Sequence, residues 1–179
     1  MELDALRRFL GAPELTGTHL KWSVTMTAAT LGGALTLGED LTITRMGYGA
    51  MQFGLPGVVG PPADPSAAIA VLRQVVELGI RHIDTSDFYG AGGVNELIHT
   101  ALHPYPDGLR IATKVGYRSD SAGDWTPSHD PADLVRQVHE NLEHLGLDVL
   151  DLVNLRASKD NETVSDAVFS EQFSDRSHR

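Results

Sequence analysis

Cysteine is absent from the 179 residues, which excludes disulfides, thiolate metal ligands and a cysteine nucleophile. Positive charge is scarce. Only 14 Lys and Arg stand against 24 Asp and Glu, a formal net charge of −10, which argues against nucleic acid or an anionic membrane as the main partner. No apolar run approaches the roughly 18–20 residues of a membrane span. The first residues lack a basic stretch followed by a long apolar core, so no signal peptide is expected and a cytoplasmic location is. His99 and His103 are four apart, but Pro104 adjoins them and no acidic partner is evident, so no metal site is expected. What remains is 41% hydrophobic and 21% charged, the composition of a globular domain, and the length suits one domain with a core of its own.

Residues 1–25 read as an amino-terminal extension or arm. Leu3, Leu6 and Leu10 mark one short amphipathic helix that Gly11-Ala-Pro13 ends, and Met26 is an equally good initiator. Residues 26–156 carry the regular pattern. A hairpin is expected over 30–48, with Thr30–Leu37 small and apolar, a turn at Gly38-Glu-Asp40 and alternation over Leu41–Arg45. A strand follows from about Thr44 to Gly49; its glycines at 47 and 49 suit close backbone packing or close approach to a ligand. After a Gly/Pro-rich loop, Asp64-Pro65 opens a helix with an acid at the N-cap and proline at N1. Ile69, Leu72, Val75 and Val76 form its apolar stripe, and Gly79 is its C′ residue.

Strand Ile80–Ile83 comes next, then a loop to Gly93 and a helix over about Val94–Leu102. His103–Gly108 is a turn, and Leu109–Val115 is the next strand. The polar stretch Gly116–His129 reads as a loop. Asp130-Pro131 repeats the cap-plus-proline start. Leu134, Val135, Val138, Leu142 and Leu145 give the third helix an apolar stripe that ends at Gly146. Val149–Leu155 is a strand whose length suits burial, and Arg156 closes it. Residues 157–179 are polar and are expected to be poorly ordered; no fifth strand is found there.

Strands alternating with helices imply right-handed crossovers and a parallel sheet. An open doubly wound sheet and part of a (β/α)8 barrel both fit. In either, chemistry gathers at the carboxyl ends of the strands. There the stretch Gly79–Tyr89 puts Asp84 at a strand end and the Tyr89 phenol in the following loop, and Lys114 lies near the end of the next strand. Each residue alone also suits a plainer role: an acid capping a loop, a phenol in packing, a lysine snorkelling from a strand end. The dinucleotide pattern Gly-x-Gly-x-x-Gly is missing. Gly47-Tyr-Gly49-Ala-Met-Gln52 lacks the third glycine, and Gly90-Ala-Gly92-Gly93 has the wrong spacing, which disfavours the open nucleotide-binding sheet.

Taken in order, the hairpin, Gly47-Tyr-Gly-Ala-Met51, Ile83-Asp-Thr-Ser-Asp-Phe-Tyr-Gly90, Asn95-Glu-Leu97, Ala112-Thr-Lys-Val115 and Leu147-Asp-Val-Leu-Asp-Leu152 resemble the aldo-keto reductases. The likeness covers roughly residues 30–156. It implies an α/β fold of the (β/α)8 TIM-barrel type with a hairpin plugging its floor, here truncated after about four strands. It implies NADPH bound without a Rossmann domain, and reduction of a small aldehyde or ketone to an alcohol by hydride transfer. Asp84, Tyr89 and Lys114 match three members of the family's catalytic set, with Tyr89 as general acid. Gly49, Ala50 and Met51 match the early loop near the nicotinamide, with Asp84 beside them.

The chemistry is coherent. A free phenol has a pKa near ~10; a lysine cation beside it favours the phenolate, and an ion pair to Asp84 would hold that lysine. The fourth position departs from the family. In Asp151-Leu-Val-Asn-Leu-Arg156, Arg156 stands where His is usual; it keeps donors for a carbonyl oxygen but is always cationic. Asn154 shares its strand parity and is expected to face inward as a further donor toward carbonyl or cofactor. Eight strands typically take about 250 residues. Four would leave two open edges, through which self-association is expected. A non-catalytic scaffold or interaction module is the alternative to an enzyme.

Overall fold

The structure, a computed structural model, describes residues 32–55 and 57–156. The expected helix near residues 3–10, the first residues of the hairpin and the polar stretch from 157 lie outside the described residues.

The elements are β1 (Ala34–Leu37), β2 (Leu41–Thr44), β3 (Tyr48–Gly49), α1 (Pro65–Glu77), β4 (His82–Asp84), α2 (Gly93–Leu102), β5 (Arg110–Val115), β6 (Tyr117–Ser119), β7 (Trp125–Pro127), α3 (Pro131–Leu145) and β8 (Leu152–Leu155). β1 and β2 form the expected antiparallel hairpin, with Leu37 opposite Leu41. β3, β4, β5 and β8 form one parallel sheet in that order. Spatial order follows chain order without reversal. A doubly wound sheet would reverse at a switch point; a barrel wall does not.

Both helix starts follow from their caps. The Asp64 carboxylate accepts from the Ala67 N–H at 2.9 Å, and Asp130 accepts from the N–H groups of Ala132 and Asp133; proline follows each at the first helical position. α1 ends as the glycine predicts. Gly79 takes a φ of +86°, its N–H donates to the Val76 carbonyl, and the Ile80 N–H donates to that of Val75. That closing turn uses Ile80, so β4 starts at His82 rather than at Ile80. Leu72, Ile83, Val94, Ile98 and Leu145 are fully buried where α1, α2 and α3 cover the sheet; each such side chain contributes roughly 1.5–3 kcal/mol.

Three features differ from the sequence reading. First, 116–129 is not a plain loop. β6 and β7 form a hairpin, with Tyr117 opposite Pro127 and Ser119 opposite Trp125. Its polar turn is tied by Asp120, whose Oδ1 accepts from the N–H groups of Ala122 and Asp124; a self-bonding turn of this kind hides a hairpin behind a polar composition.

Second, the buried side of α3 is Asp133, Gln137, Asn141 and Leu145. Leu134, Val138 and Leu142 are only half-buried and Val135 is exposed. The polar face is buried because each of its groups finds a partner, as described below.

Third, β8 runs from Leu152, not Val149, and it is not buried: Val153 and Asn154 are exposed. Among the described residues it pairs only with Ala112–Val115. Asp151 instead turns to Arg110 at 2.8 Å.

Candidate active site at the strand ends

Asp84 is the last residue of β4, opposite Gly49 of β3 on one side and Ala112 of β5 on the other. The Ala50 N–H donates to the Asp84 carbonyl at 2.8 Å, and the Thr85 N–H to that of Ala112 at 2.8 Å, so both flanks of the strand end are fixed. Lys114 lies two residues beyond Ala112 and so shares the Asp84 face of the sheet. Its ammonium donates to both Asp84 oxygens, 2.9 Å from Oδ2, and to the Thr85 carbonyl at 2.9 Å. The ion pair expected from the family resemblance is formed.

Tyr89 opens a short 3-10 turn, Tyr89–Gly92, and is buried. Its loop is pinned by main-chain bonds from Tyr89 N–H to the Ser86 carbonyl, from Gly92 N–H to that of Asp87 and from Gly60 N–H to that of Gly90. The Lys114 ammonium lies 5.1 Å from the Tyr89 ring centroid. The cation therefore sits against the ring face, and among the described residues the Tyr89 hydroxyl has no hydrogen-bond partner.

Arg156 follows β8. Its N–H donates to the Val115 carbonyl at 2.8 Å, and its own carbonyl accepts from His129 Nε2 at 2.9 Å. Gly116 must be glycine for this approach: its φ is +103°, and a Cβ there would lie 2.6 Å from the Arg156 oxygen. The guanidinium centre rests 4.7 Å from the Tyr117 ring and 5.5 Å from those of Phe88 and Trp125. Tyr89 touches the same aromatic block, 5.0 Å from Phe88 and 5.2 Å from Trp125. One cluster thus joins Lys114, Tyr89, the three rings and Arg156.

The remaining expected residues divide. Asn154 lies opposite Lys114 in the β5–β8 ladder; it is exposed and makes no hydrogen bond through its amide among the described residues. A Cβ on Gly49 would meet nothing within 4 Å, so of the two roles weighed for this glycine, close packing is excluded and approach to a ligand stays. Gly47 is the reverse case, since a Cβ there would lie 2.8 Å from His82 Nδ1. Met51 is exposed, whereas Ala50 is fully buried and shapes the strand end through its main chain. Gly49, Met51 and Asn154 are thus exposed at the strand ends, with Asp84 half-buried and paired to Lys114. Among the described residues no cluster of His, Asp and Glu is arranged to hold a metal ion, and no helix is long and apolar enough to cross a membrane.

Behind the site runs a buried polar network. Thr85 Oγ1 donates to Asn95 Oδ1 at 2.8 Å. Asn95 Nδ2 donates to Asp87 at 3.2 Å and to Asn141 Oδ1 at 2.9 Å. Thr113 Oγ1 also donates to Asn141 Oδ1. Gln137 Oε1 accepts from the Gly116 N–H at 2.7 Å, and its Nε2 donates to Asp133 at 2.9 Å. Asp133 receives Arg118 through two nitrogens and Arg136 through one; the Arg118 hydrogen bonds hold its carboxyl far below the usual carboxylate range, against the opposing effect of burial. Asp87 meets His144 Nδ1 at 2.6 Å. Burial disfavours the His144 cation, but the Asp87 hydrogen bond and charge, with Glu96 and Glu143, outweigh it and raise its pKa. A cavity of about 210 Å³ borders this network, lined by Asp87, Lys114, Arg118, Glu140 and His144 among others.

Sequence reasoning missed the aromatic block and this network. Between β6 and β7 lies the five-residue turn Asp120-Ser-Ala-Gly-Asp124, and such a polar, Gly-containing stretch between Tyr117 and Trp125 is a hairpin signal. Asp133, Gln137 and Asn141 recur at i+4, which marks one helix face as clearly as the aliphatic stripe does.

Comparison with known proteins agrees with this fold. The aldo/keto reductase family profile matches residues 45–172, running past Arg156. The chain is 54% identical over 121 residues to pyridoxine 4-dehydrogenase of Escherichia coli, covering 68% of this chain and 42% of that protein. It is 32% identical over 121 residues to an aldo-keto reductase of Schizosaccharomyces pombe named for NADP(+), covering 65% of this chain and 34% of that protein. The holo form of an aldo-keto reductase from Bacillus halodurans aligns with a TM-score of 0.63 at 27% identity, covering 79% of this chain and 45% of that one. The chain thus spans less than half the length of these relatives, and its parallel sheet corresponds to about half of a TIM-barrel chain. With a family match over residues 45–172, an N-terminal hairpin and a singly wound parallel sheet, the chain belongs to the aldo/keto reductase family.

Proposed function

We propose that this chain carries the catalytic residues of an NADPH-dependent oxidoreductase that interconverts an aldehyde or ketone and its alcohol. The observation that supports this most is the Asp84–Lys114 ion pair formed against the Tyr89 ring at the carboxyl ends of parallel strands. NADPH, when bound, supplies the hydride. Gly49, Met51, Asp84 and Asn154 would hold its nicotinamide end. Tyr89 gives its proton to the carbonyl oxygen, Lys114 stabilises the charge left on the phenol, and Asp84 fixes Lys114 in place. The N–H groups of Arg156 orient the carbonyl oxygen, as the family's usual His would.

The substrate class follows from the relative named for pyridoxine: we assign this chain a flat heteroaromatic alcohol or aldehyde of that kind. Arg156, seated on the Phe88, Tyr117 and Trp125 rings, offers hydrogen-bond donors that suit the oxygens of such a compound. Among the described residues β3 and β8 each lack a second neighbour, and association of two copies through these edges is part of the proposal.

A second reading, a non-catalytic scaffold, draws on the Lys114 ammonium lying on the face of Tyr89 rather than at its hydroxyl. Turnover separates the two. NADPH oxidation with pyridoxal should be abolished by Tyr89→Phe while the urea unfolding midpoint stays within error. Undiminished turnover in that variant removes Tyr89 from the mechanism.

A further inference from the structure

The guanidinium of Arg156 is unusual in how it is held. Elsewhere Lys114 pairs with Asp84, Arg110 with Asp151, and Arg118 and Arg136 with Asp133, while the exposed Arg45 has no side-chain partner among the described residues. Arg73 and Arg81 donate to main-chain carbonyls. The Arg156 side chain has no carboxylate or carbonyl partner among the described residues, in a chain whose net charge is −10. It is held instead by three aromatic rings. A cation seated on ring faces is attracted without using its N–H groups. Its planar fork of donors stays free, and that fork matches two acceptor oxygens side by side.

The main chain of Arg156 is tied at both its N–H and its carbonyl, so the fork is preorganised. Phe88 and Trp125 also pack against Tyr89. The free donors and the phenol proposed as the acid therefore belong to one aromatic block.

From this we infer that Arg156 is a specificity-determining residue: it recognises an anionic oxygen on the ring atom next to the one bearing the reacting carbonyl or alcohol carbon. The ligand class is an ortho-oxido aromatic aldehyde or its alcohol, whose two oxygens a guanidinium fork can take together. The inference rests on the substrate class proposed above and adds the group within it that is read. A neutral His at this position would lack that preference, because it carries no fixed charge. The step is recognition only, with no bond made or broken by Arg156.

The test uses the full chain without cofactor and a matched pair of alcohols. Pyridoxine carries the oxide next to its 4-hydroxymethyl group at neutral pH; 3-O-methylpyridoxine has it masked. Calorimetric titration of each at pH 7.5 should show pyridoxine binding at least about tenfold tighter, as a charge-assisted bond implies. Arg156→Met should remove most of that difference, weakening pyridoxine at least about fivefold more than 3-O-methylpyridoxine, which keeps only the reacting oxygen. Arg156→Lys, which keeps the charge but not the fork, should fall between. Equal weakening of both probes in Arg156→Met would mean that the residue only supports the pocket and would overturn the inference. So would no effect on either, or no saturable binding of pyridoxine. Pyridoxal-dependent NADPH oxidation, measured separately, tells this failure from failure of the redox assignment. Arg156-dependent pyridoxine binding without oxidation would sink the redox reading alone. Oxidation that is indifferent to Arg156→Met and to the 3-oxide would sink this one.

Discussion

Replacing Asn141 by Leu tests whether the polar face of α3 holds the site's framework. Asn141 is fully buried. Its Oδ1 accepts from Thr113 Oγ1 and from Asn95 Nδ2, and its Nδ2 donates to the Gln137 carbonyl. Leucine keeps the γ-branched shape with larger methyl groups, so no cavity opens. What changes is that the Thr113 hydroxyl, itself fully buried, loses its acceptor, at about 1–3 kcal/mol. Asn95 Nδ2 keeps Asp87 but loses its shorter bond, roughly 1 kcal/mol more. The Gln137 oxygen also serves the helix and adds little. The expected loss is about 2–3 kcal/mol, a large share of an ordinary domain stability of roughly 5–15 kcal/mol. The sharper check is the double variant Thr113→Val/Asn141→Leu. Removing both partners leaves no orphaned hydroxyl, so it should be more stable than Asn141→Leu alone by about 1 kcal/mol. Urea unfolding midpoints at constant m measure both. A single variant within about 0.5 kcal/mol of the parent, or a double variant costing the plain sum of the two, would refute the reasoning.

Other outcomes follow from the same geometry. Gly116→Ala places a Cβ 2.6 Å from the Arg156 carbonyl at a φ of +103° and should cost at least about 2 kcal/mol in thermal unfolding. Gly49→Ala meets nothing within 4 Å; its stability should stay within about 0.5 kcal/mol of the parent, while NADPH titration should show weakened binding. The raised pKa of His144 makes its contribution complete below the unfolded value of ~6.5 and lost as pH rises through the folded value; Asp87→Asn should flatten the fall in stability above pH ~6.5. Asp133 has the opposite sign. Its lowered pKa contributes fully above ~3.9 and is lost on further acidification, so Arg118→Met should shrink the acid-side slope of the unfolding midpoint.

The scaffold was legible because its punctuation is local. Asp64-Pro65 and Asp130-Pro131 open two helices, and Gly79 and Gly146 close them with positive φ; each acts through its nearest neighbours in sequence. Asp84 and Lys114 could be paired from sequence only through the motifs they share with the aldo-keto reductases; the parallel register that puts them on one face is seen only in the fold. Less could be read where a residue's state depends on distant partners. Gln137 and Asn141 are buried because Gly116, Thr113 and Asn95 satisfy them from other elements, and no count of apolar residues along α3 reveals that. Trp125 reaches Arg156 only through a hairpin whose turn Asp120 ties from within. β8 reads as a buried strand from its apolar residues, yet Val153 and Asn154 are exposed, since burial of a strand depends on a second neighbour as much as on composition.

The most direct measurement is titration of the purified 179-residue chain with NADPH, followed by nicotinamide fluorescence, with molecular size determined on the same sample. Saturable binding by one defined species, weakened by Gly49→Ala, is the expected result. A flat titration, or binding that Gly49→Ala leaves unchanged, would contradict the assignment of the Asp84–Lys114–Tyr89 cluster as a working nicotinamide-dependent site.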